Sequence, residues 1–197
     1  MPPAHRPRVA ARVACAVAAA VMLTVTPVVA RAQFGIAAGL SVPNGDLRRE
    51  SATGFDVTGM FNVGRPGIPV GFRGEAGVNS FSLKGTAVGT TRIVNLTGNI
   101  IATAPSVGNA APYLIAGIGI YRVNYSSGNK NYAYPAQYPP VVLRNGTDDR
   151  LGFNAGAGFS FPAAAHSVLL EARFVTLRTP SNKPSAGFVP IRIGILF

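Results

Sequence analysis

From Phe34 to the end of the chain, apolar side chains recur at every second position in segments of about ten residues, a strand period. Clusters of Gly, Pro, Asn and Asp separate the segments. Phe34–Val42 puts Phe34, Ile36, Ala38, Leu40 and Val42 on one face. Phe55–Val63 sets Phe55, Val57, Phe61 and Val63 against Asp56, Thr58 and Asn62. Val70–Ser80 sets Val70, Phe72, Ala76 and Val78 against Arg73, Glu75 and Asn79. Arg92–Ala102 opposes Val94, Leu96, Ile100 and Ala102 to Asn95, Thr97 and Asn99. Leu151–Phe161 opposes Leu151, Phe153, Phe159 and Phe161 to Asn154, Ser160 and three glycines. Val168–Leu177 opposes Val168, Leu170, Ala172 and Phe174 to Glu171 and Arg173. In Phe188–Phe197, Val189, Ile191, Ile193, Ile195 and Phe197 alternate with Pro190, Arg192, Gly194 and Leu196. Tyr113–Tyr125 is apolar on both sides: Tyr113, Ile115, Tyr121, Val123 and Tyr125 share one face, and Leu114, Ile118 and Ile120 share the other with Arg122. No segment beyond residue 32 sustains a capped helical period.

Eight such strands of 9–13 residues predict an all-β fold, an eight-stranded antiparallel up-and-down transmembrane β-barrel. An even strand count puts both ends of the barrel on one side. The shorter connections, Gly64–Pro69, Thr103–Pro112 and Pro162–Ser167, are then periplasmic. Asn44–Gly54, Ser82–Thr91, Ser126–Arg150 and Arg178–Gly187 are extracellular. An Arg facing lipid at mid-depth would cost roughly 2–4 kcal/mol. The strand charges are therefore expected to face inward, as one interior network of Arg73, Glu75, Arg122, Glu171, Arg173 and Arg192. Glycines such as Gly39, Gly117 and Gly156 would leave room in a narrow bore.

Composition agrees with a lipid-facing wall. Of 197 residues, 48% are hydrophobic and only 13% charged, so a soluble domain of this composition would need a large two-sided core. Residues 1–32 read as a cleaved secretory signal, and residues 33–197 as the barrel domain. His5, Arg6, Arg8 and Arg12 form the basic start, Val13–Val25 is an uncharged apolar run, and Pro27 breaks it. Ala30-Arg31-Ala32 supplies small residues on both sides of Arg31, which places the cut before Gln33. The competing reading, an anchoring helix over Val13–Ala30, has only 18 uncharged residues and contains Pro27. Cys15, the single cysteine, leaves with the signal, so the mature chain carries no thiol chemistry. The signal also removes four of the 18 basic residues and none of the seven acidic ones, which takes the net charge from +11 to +7. The remaining basic residues are scattered. That pattern argues against nucleic acid and for outer-membrane lipid and lipopolysaccharide as partners.

Particular motifs carry a family resemblance. The terminal strand, with Pro190, Ile193, Ile195 and a final Phe197, looks like the carboxy-terminal signal read by the barrel assembly machinery. Arg192 stands where a glycine is common in that signal, and Ile195 replaces an aromatic. Pro112-Tyr113-Leu114-Ile115-Ala116-Gly117-Ile118-Gly119-Ile120-Tyr121-Arg122 resembles the fifth strand of small outer-membrane β-barrels. Leu151–Phe159 resembles the strand after their long third loop, and Leu170-Glu171-Ala172-Arg173-Phe174 their seventh strand. From Gln33 on, the chain is similar to the membrane domain of outer-membrane protein A and to porin-family proteins. The resemblance implies a place in the bacterial outer membrane after secretion across the inner membrane.

Catalytic chemistry finds few residues. Barrel enzymes need a nucleophile with a His or an equivalent base. His166 is the only mature histidine and falls in a turn with no carboxylate close in sequence. Asp148-Asp149 is too small a set for a strong cation site. The Gly-x-Gly pairs open no helix, so they are not phosphate loops. No catalytic residue, metal or cofactor is expected. Tyr132, Tyr134 and Tyr138, in the long third loop, are candidates for contact with an extracellular ligand. The function expected is structural or surface-interacting and non-enzymatic. The alternative is a narrow solute channel or small-molecule-binding barrel, which the bore of an eight-stranded barrel, filled by side chains, disfavours. A secreted lipocalin-like barrel would invert the pattern, with apolar residues inside. Amino-terminal sequencing of membrane-extracted protein is expected to begin at Gln33; recovery of an intact Val13–Ala30 segment would show an anchor instead.

Overall fold

The computed structural model describes residues 31–65, 67–84, 89–127, 146–178 and 186–197. Within them eight antiparallel strands follow one another around a closed barrel. These are β1 (Arg31–Asn44), β2 (Gly54–Gly64), β3 (Val70–Ser82), β4 (Gly89–Thr103), β5 (Ala111–Ser127), β6 (Gly146–Ala163), β7 (His166–Leu177) and β8 (Ala186–Leu196). The barrel closes where β8 meets β1, from Gly35 opposite Leu196 to Asn44 opposite Gly187. The Phe197 N–H extends this seam by donating to the Phe34 carbonyl at 2.7 Å. Closure gives every described strand a partner on both sides and removes the free edge on which sheets aggregate.

The alternation read from the sequence sorts onto two faces. Phe34, Phe72, Leu96, Ile118 and Ile193 are each more than 60% exposed on the outer wall. Arg73, Glu75, Glu171 and Arg173 are at most 3% exposed inside. This arrangement is the inverse of a soluble barrel.

Three departures from the sequence reading have physical reasons. In β5 the face of Tyr113, Ile115, Tyr121 and Val123 turns inward, and Leu114, Ile118, Ile120 and Arg122 face out. Both faces are apolar, so alternation alone does not orient that strand. Strands β5 and β6 also run longer than predicted, to 17 and 18 residues. Their added length pairs Asn124 with Thr147 and Tyr125 with Gly146, where a polar ladder needs no apolar face. Finally, the first long connection carries a single helical turn, α1 (Leu47–Glu50), too short to show a helical period.

The bore is layered. Near the short turns Ala37, Met60, Leu169 and Leu196 form one apolar cluster, and Ile101, Tyr113 and Ile115 another. Toward the long loops Phe81, Ile93, Tyr121, Val123, Val175, Leu177, Ala186 and Phe188 fill the interior, joined by Leu47 from α1. Phe188 meets Phe81 and Tyr121 edge to face, at 5.8 and 6.4 Å between ring centroids. The charged residues lie between these layers.

Glycine makes the space for them. Gly39 is paired with Arg192 across the seam, and Gly156 with Arg173. A Cβ on Gly39 would clash with the Ile191 carbonyl oxygen and sit 2.6 Å from Arg192 Cα. A Cβ on Gly74, which faces outward, would meet nothing within 4 Å. Gly39→Ala is therefore expected to destabilise the barrel by ~1–3 kcal/mol, the usual cost of overpacking. Gly74→Ala should stay within ~0.5 kcal/mol of the parent. Urea titration of the two variants in detergent checks the contrast.

Candidate functional site

The ionic layer is built from four strands that do not all touch one another. β2 supplies Asp56, β3 supplies Arg73 and Glu75, β7 supplies Glu171 and Arg173, and β8 supplies Arg192. Alternation aims each of these side chains into the bore. Glu171 lies at the centre. Its Oε2 accepts from Arg73 Nη1 at 2.7 Å and from the Tyr113 hydroxyl at 2.8 Å, and its Oε1 accepts from Arg173 Nε at 2.6 Å. Arg173 also grips Glu75 with both terminal nitrogens, Nη1 reaching Oε2 at 2.8 Å and Nη2 reaching Oε1. The Asn154 side-chain oxygen accepts a further bond from Arg173 Nη1 at 3.3 Å. Arg73 Nε donates to Asn62 at 2.7 Å, and its guanidinium lies 5.5 Å from the centre of the Tyr113 ring. Arg192 stands 3.3 Å from Asp56, 3.7 Å from Glu75 and 3.8 Å from Glu171.

The structure thus brings together five of the six charges read from the sequence. Arg122 is not among them. It faces outward near the long loops and forms a two-bond pair with Asp149, at 2.7 and 2.8 Å, with both side chains more than half exposed. The expectation that every strand charge faces the bore is corrected here. The penalty for an outward Arg falls to ~0–1 kcal/mol near the membrane interface, so position along the strand decides which charges must turn in. Asp56 takes the place that Arg122 leaves. The bore then holds Arg73, Arg173 and Arg192 against Asp56, Glu75 and Glu171, so the formal charges balance. The signal for Asp56 was present in the sequence, on the polar face of its strand. A set of four Arg and two Glu is short of anions, and that deficit points to an inward acid.

A second polar group caps the bore toward the long loops. Arg150, 5% exposed, donates from Nε to Asp148 at 2.9 Å and from Nη2 to the Tyr125 hydroxyl at 3.4 Å. Above it, burial raises the Glu50 carboxyl in α1 above its ordinary value, and the neighbouring charge of Asp46 adds to the effect. At the opposite end a cavity of about 340 Å³ opens among the short turns. Its walls include Arg73 and Tyr113 but neither Glu75, Arg173 nor Arg192, so it stops at the ionic layer.

The other positions singled out in the sequence fall as follows. Ile193 and Phe197 are exposed on the outer wall, Ile195 is half-buried on the same face, and Pro190 is buried, pointing inward opposite Ser41. The exposed His166 ring packs edge-on against Phe197, 5.4 Å between centroids. Ala32 and Gln33 of β1 pair with Val63 and Asn62 of β2. Ala30, Tyr132, Tyr134 and Tyr138 lie outside the described residues. Among the described residues, no group of three or more His, Cys, Asp or Glu gathers in a way that could hold a metal.

No protein-family model matches the chain, and no curated protein matches it. Solved structures do. Neisserial surface protein A is similar, with 11% identity and a TM-score of 0.64 over 84% of this chain and 95% of that one. The chain has the fold of the small outer-membrane β-barrels. Ail, the attachment invasion locus protein of Yersinia pestis, aligns at 13% identity and a TM-score of 0.49, over 84% of this chain and 97% of that one. The outer membrane enzyme PagL aligns at 14% and 0.49, over 83% and 98%. At such identities the likeness is one of backbone architecture. In this barrel the bore chemistry is set by its own inward residues.

Removing one partner of a buried ion pair typically costs about 3–5 kcal/mol, because the other charge is left unpaired. Glu171→Ala removes the carboxylate that Arg73, Arg173 and the Tyr113 hydroxyl share and leaves the buried layer with one positive charge in excess, so it is expected to lower unfolding free energy by about that much. Arg49→Ala, whose side chain is 85% exposed, should stay within ~0.5 kcal/mol. Denaturant unfolding in detergent measures both.

Proposed function

We propose that this chain is an integral outer-membrane β-barrel of the bacterial envelope with a structural or surface-interaction role and no enzymatic activity. The observation that carries the reading is a wall apolar outward and charge-balanced inward, with Glu75 and Glu171 hydrogen-bonded to Arg73 and Arg173. Such a wall is stable only where hydrocarbon covers it, and a bore filled in this way is a strut. Residues 1–32 act as the secretory signal, and the segment from Pro190 through Ile193 and Ile195 to Phe197 is the part presented to the assembly machinery. Lipid and lipopolysaccharide surround the outer wall. The long third loop, with Tyr132, Tyr134 and Tyr138, is the proposed contact for a ligand outside the cell.

The channel reading finds less support. Apolar clusters flank the ionic layer on both sides, and the cavity at the short turns ends at Arg73. Recording from protein reconstituted in planar bilayers decides between the two. The expected outcome is small, unsteady conductance from the monomer. A large steady conductance would make the barrel a channel.

A further inference from the structure

The outer wall carries few charges, and they are not spread around it. Along the outward positions of β1, β2, β3 and β8 there is no charged residue among those described. On β4, β5 and β6, and just past the end of β7, the outward positions nearest the long loops hold Arg92, Arg122, Asp149 and Arg178. Register brings them side by side. Arg122 is directly opposite Asp149, and Arg92 is opposite Asn124, two residues further toward the loops on the same face. The Arg178 N–H donates to the Leu151 carbonyl at 2.8 Å, which sets Arg178 diagonal to Asp149. Three guanidinium groups and one carboxylate thus span four neighbouring strands.

Immediately toward the short turns the same outward face becomes apolar, with Val94, Ile120 and Leu151 each at least 40% exposed. The cluster sits where a hydrocarbon belt gives way to polar surface. Asp149 holds the Arg122 guanidinium in plane by two bonds. Arg92 and Arg178 have no acidic partner among the described residues. An excess of two positive charges at this depth, above an apolar face, is complementary to one kind of neighbour. That neighbour is an amphiphile with acyl chains below and phosphate above, and planar guanidinium forks suit phosphate oxygens.

We propose that Arg92, Arg122 and Arg178 form a binding site on one side of the barrel for the phosphorylated glycolipid of the outer leaflet. The acyl chains lie against Val94, Ile120 and Leu151, and the head-group phosphates engage the three guanidinium groups. The opposite wall, without outward charge, has no such preference, so the lipid annulus around this protein is one-sided. This rests on the outer-membrane reading above.

The test uses the protein reconstituted in phosphatidylcholine nanodiscs. Insertion is scored first, by the shift in gel mobility on heating, and reports on the outer-membrane reading by itself. Native mass spectrometry then follows binding of bisphosphorylated lipid A and of the same lipid with its phosphates removed. Wild type is expected to bind the bisphosphorylated form tighter by about tenfold or more. The triple variant Arg92→Gln, Arg122→Gln, Arg178→Gln should lose that preference, while Arg48→Gln with Lys84→Gln, on the loops over the other wall, should keep it. The single variants Arg92→Gln and Arg178→Gln, which break no ion pair, stand in if the triple variant fails to insert; each should weaken the preference. Equal binding of the two lipids by wild type would overturn the proposal. So would an undiminished preference in the arginine variants, or its loss in the Arg48→Gln, Lys84→Gln control.

Discussion

An ionised side chain inside a lipid-covered wall has no bulk water to fall back on. Its neighbours must supply the compensation, and around Glu171 and Glu75 they do so by hydrogen bonds, while Arg192 faces Asp56, Glu75 and Glu171 in ion pairs. Glu171 is met by Arg73, Arg173 and Tyr113, and Glu75 is clasped by Arg173. The rest of the architecture is arranged around that requirement. Glycines opposite Arg192 and Arg173 clear the volume that long side chains need. Apolar clusters pack above and below the charges, and low-dielectric surroundings strengthen each pair and raise the cost of leaving one unmade.

The outer wall answers a different demand. It needs apolar surface over the depth of the hydrocarbon and tolerates charge only toward its ends. Arg122 and Asp149 occupy that tolerant zone, as do Arg92 and Arg178. The two demands share one sequence because neighbouring residues on a strand face opposite solvents. One strand can therefore carry Arg173 toward a salt bridge and Phe174 toward lipid in consecutive positions.

Much of this was readable from the chain itself. Period-2 alternation in β1, β2, β3, β4, β6, β7 and β8 fixes which residues face out, because each has one distinctly more apolar face. β5 was not readable in the same way. Leu114 and Ile118 on one side and Ile115 and Val123 on the other are equally hydrophobic, so the inward side is decided by its neighbours. Tyr113 has Glu171 to bond and Tyr121 has Phe188 to pack against, and both lie across the bore in sequence-distant strands. Asp56 was visible as an inward residue, but its role depends on Arg192, which reaches it from the far end of the chain. Periodicity reports the facing of a residue; it does not report which residue it will meet. α1 escaped notice because one turn carries no period.

The longest-range pairs carry a consequence for how the barrel comes into being. Arg73 and Glu171, and Glu75 and Arg173, are each 98 residues apart along the chain. They face each other across the bore, from β3 to β7, and meet only when the sheet has curled round. An open, half-built sheet would keep only the same-strand contacts, Arg173 with Glu171 and Arg73 with Glu75, and would leave the cross-bore bonds unmade. Completing the ionic layer and joining the first strand to the last are therefore one and the same step of closure.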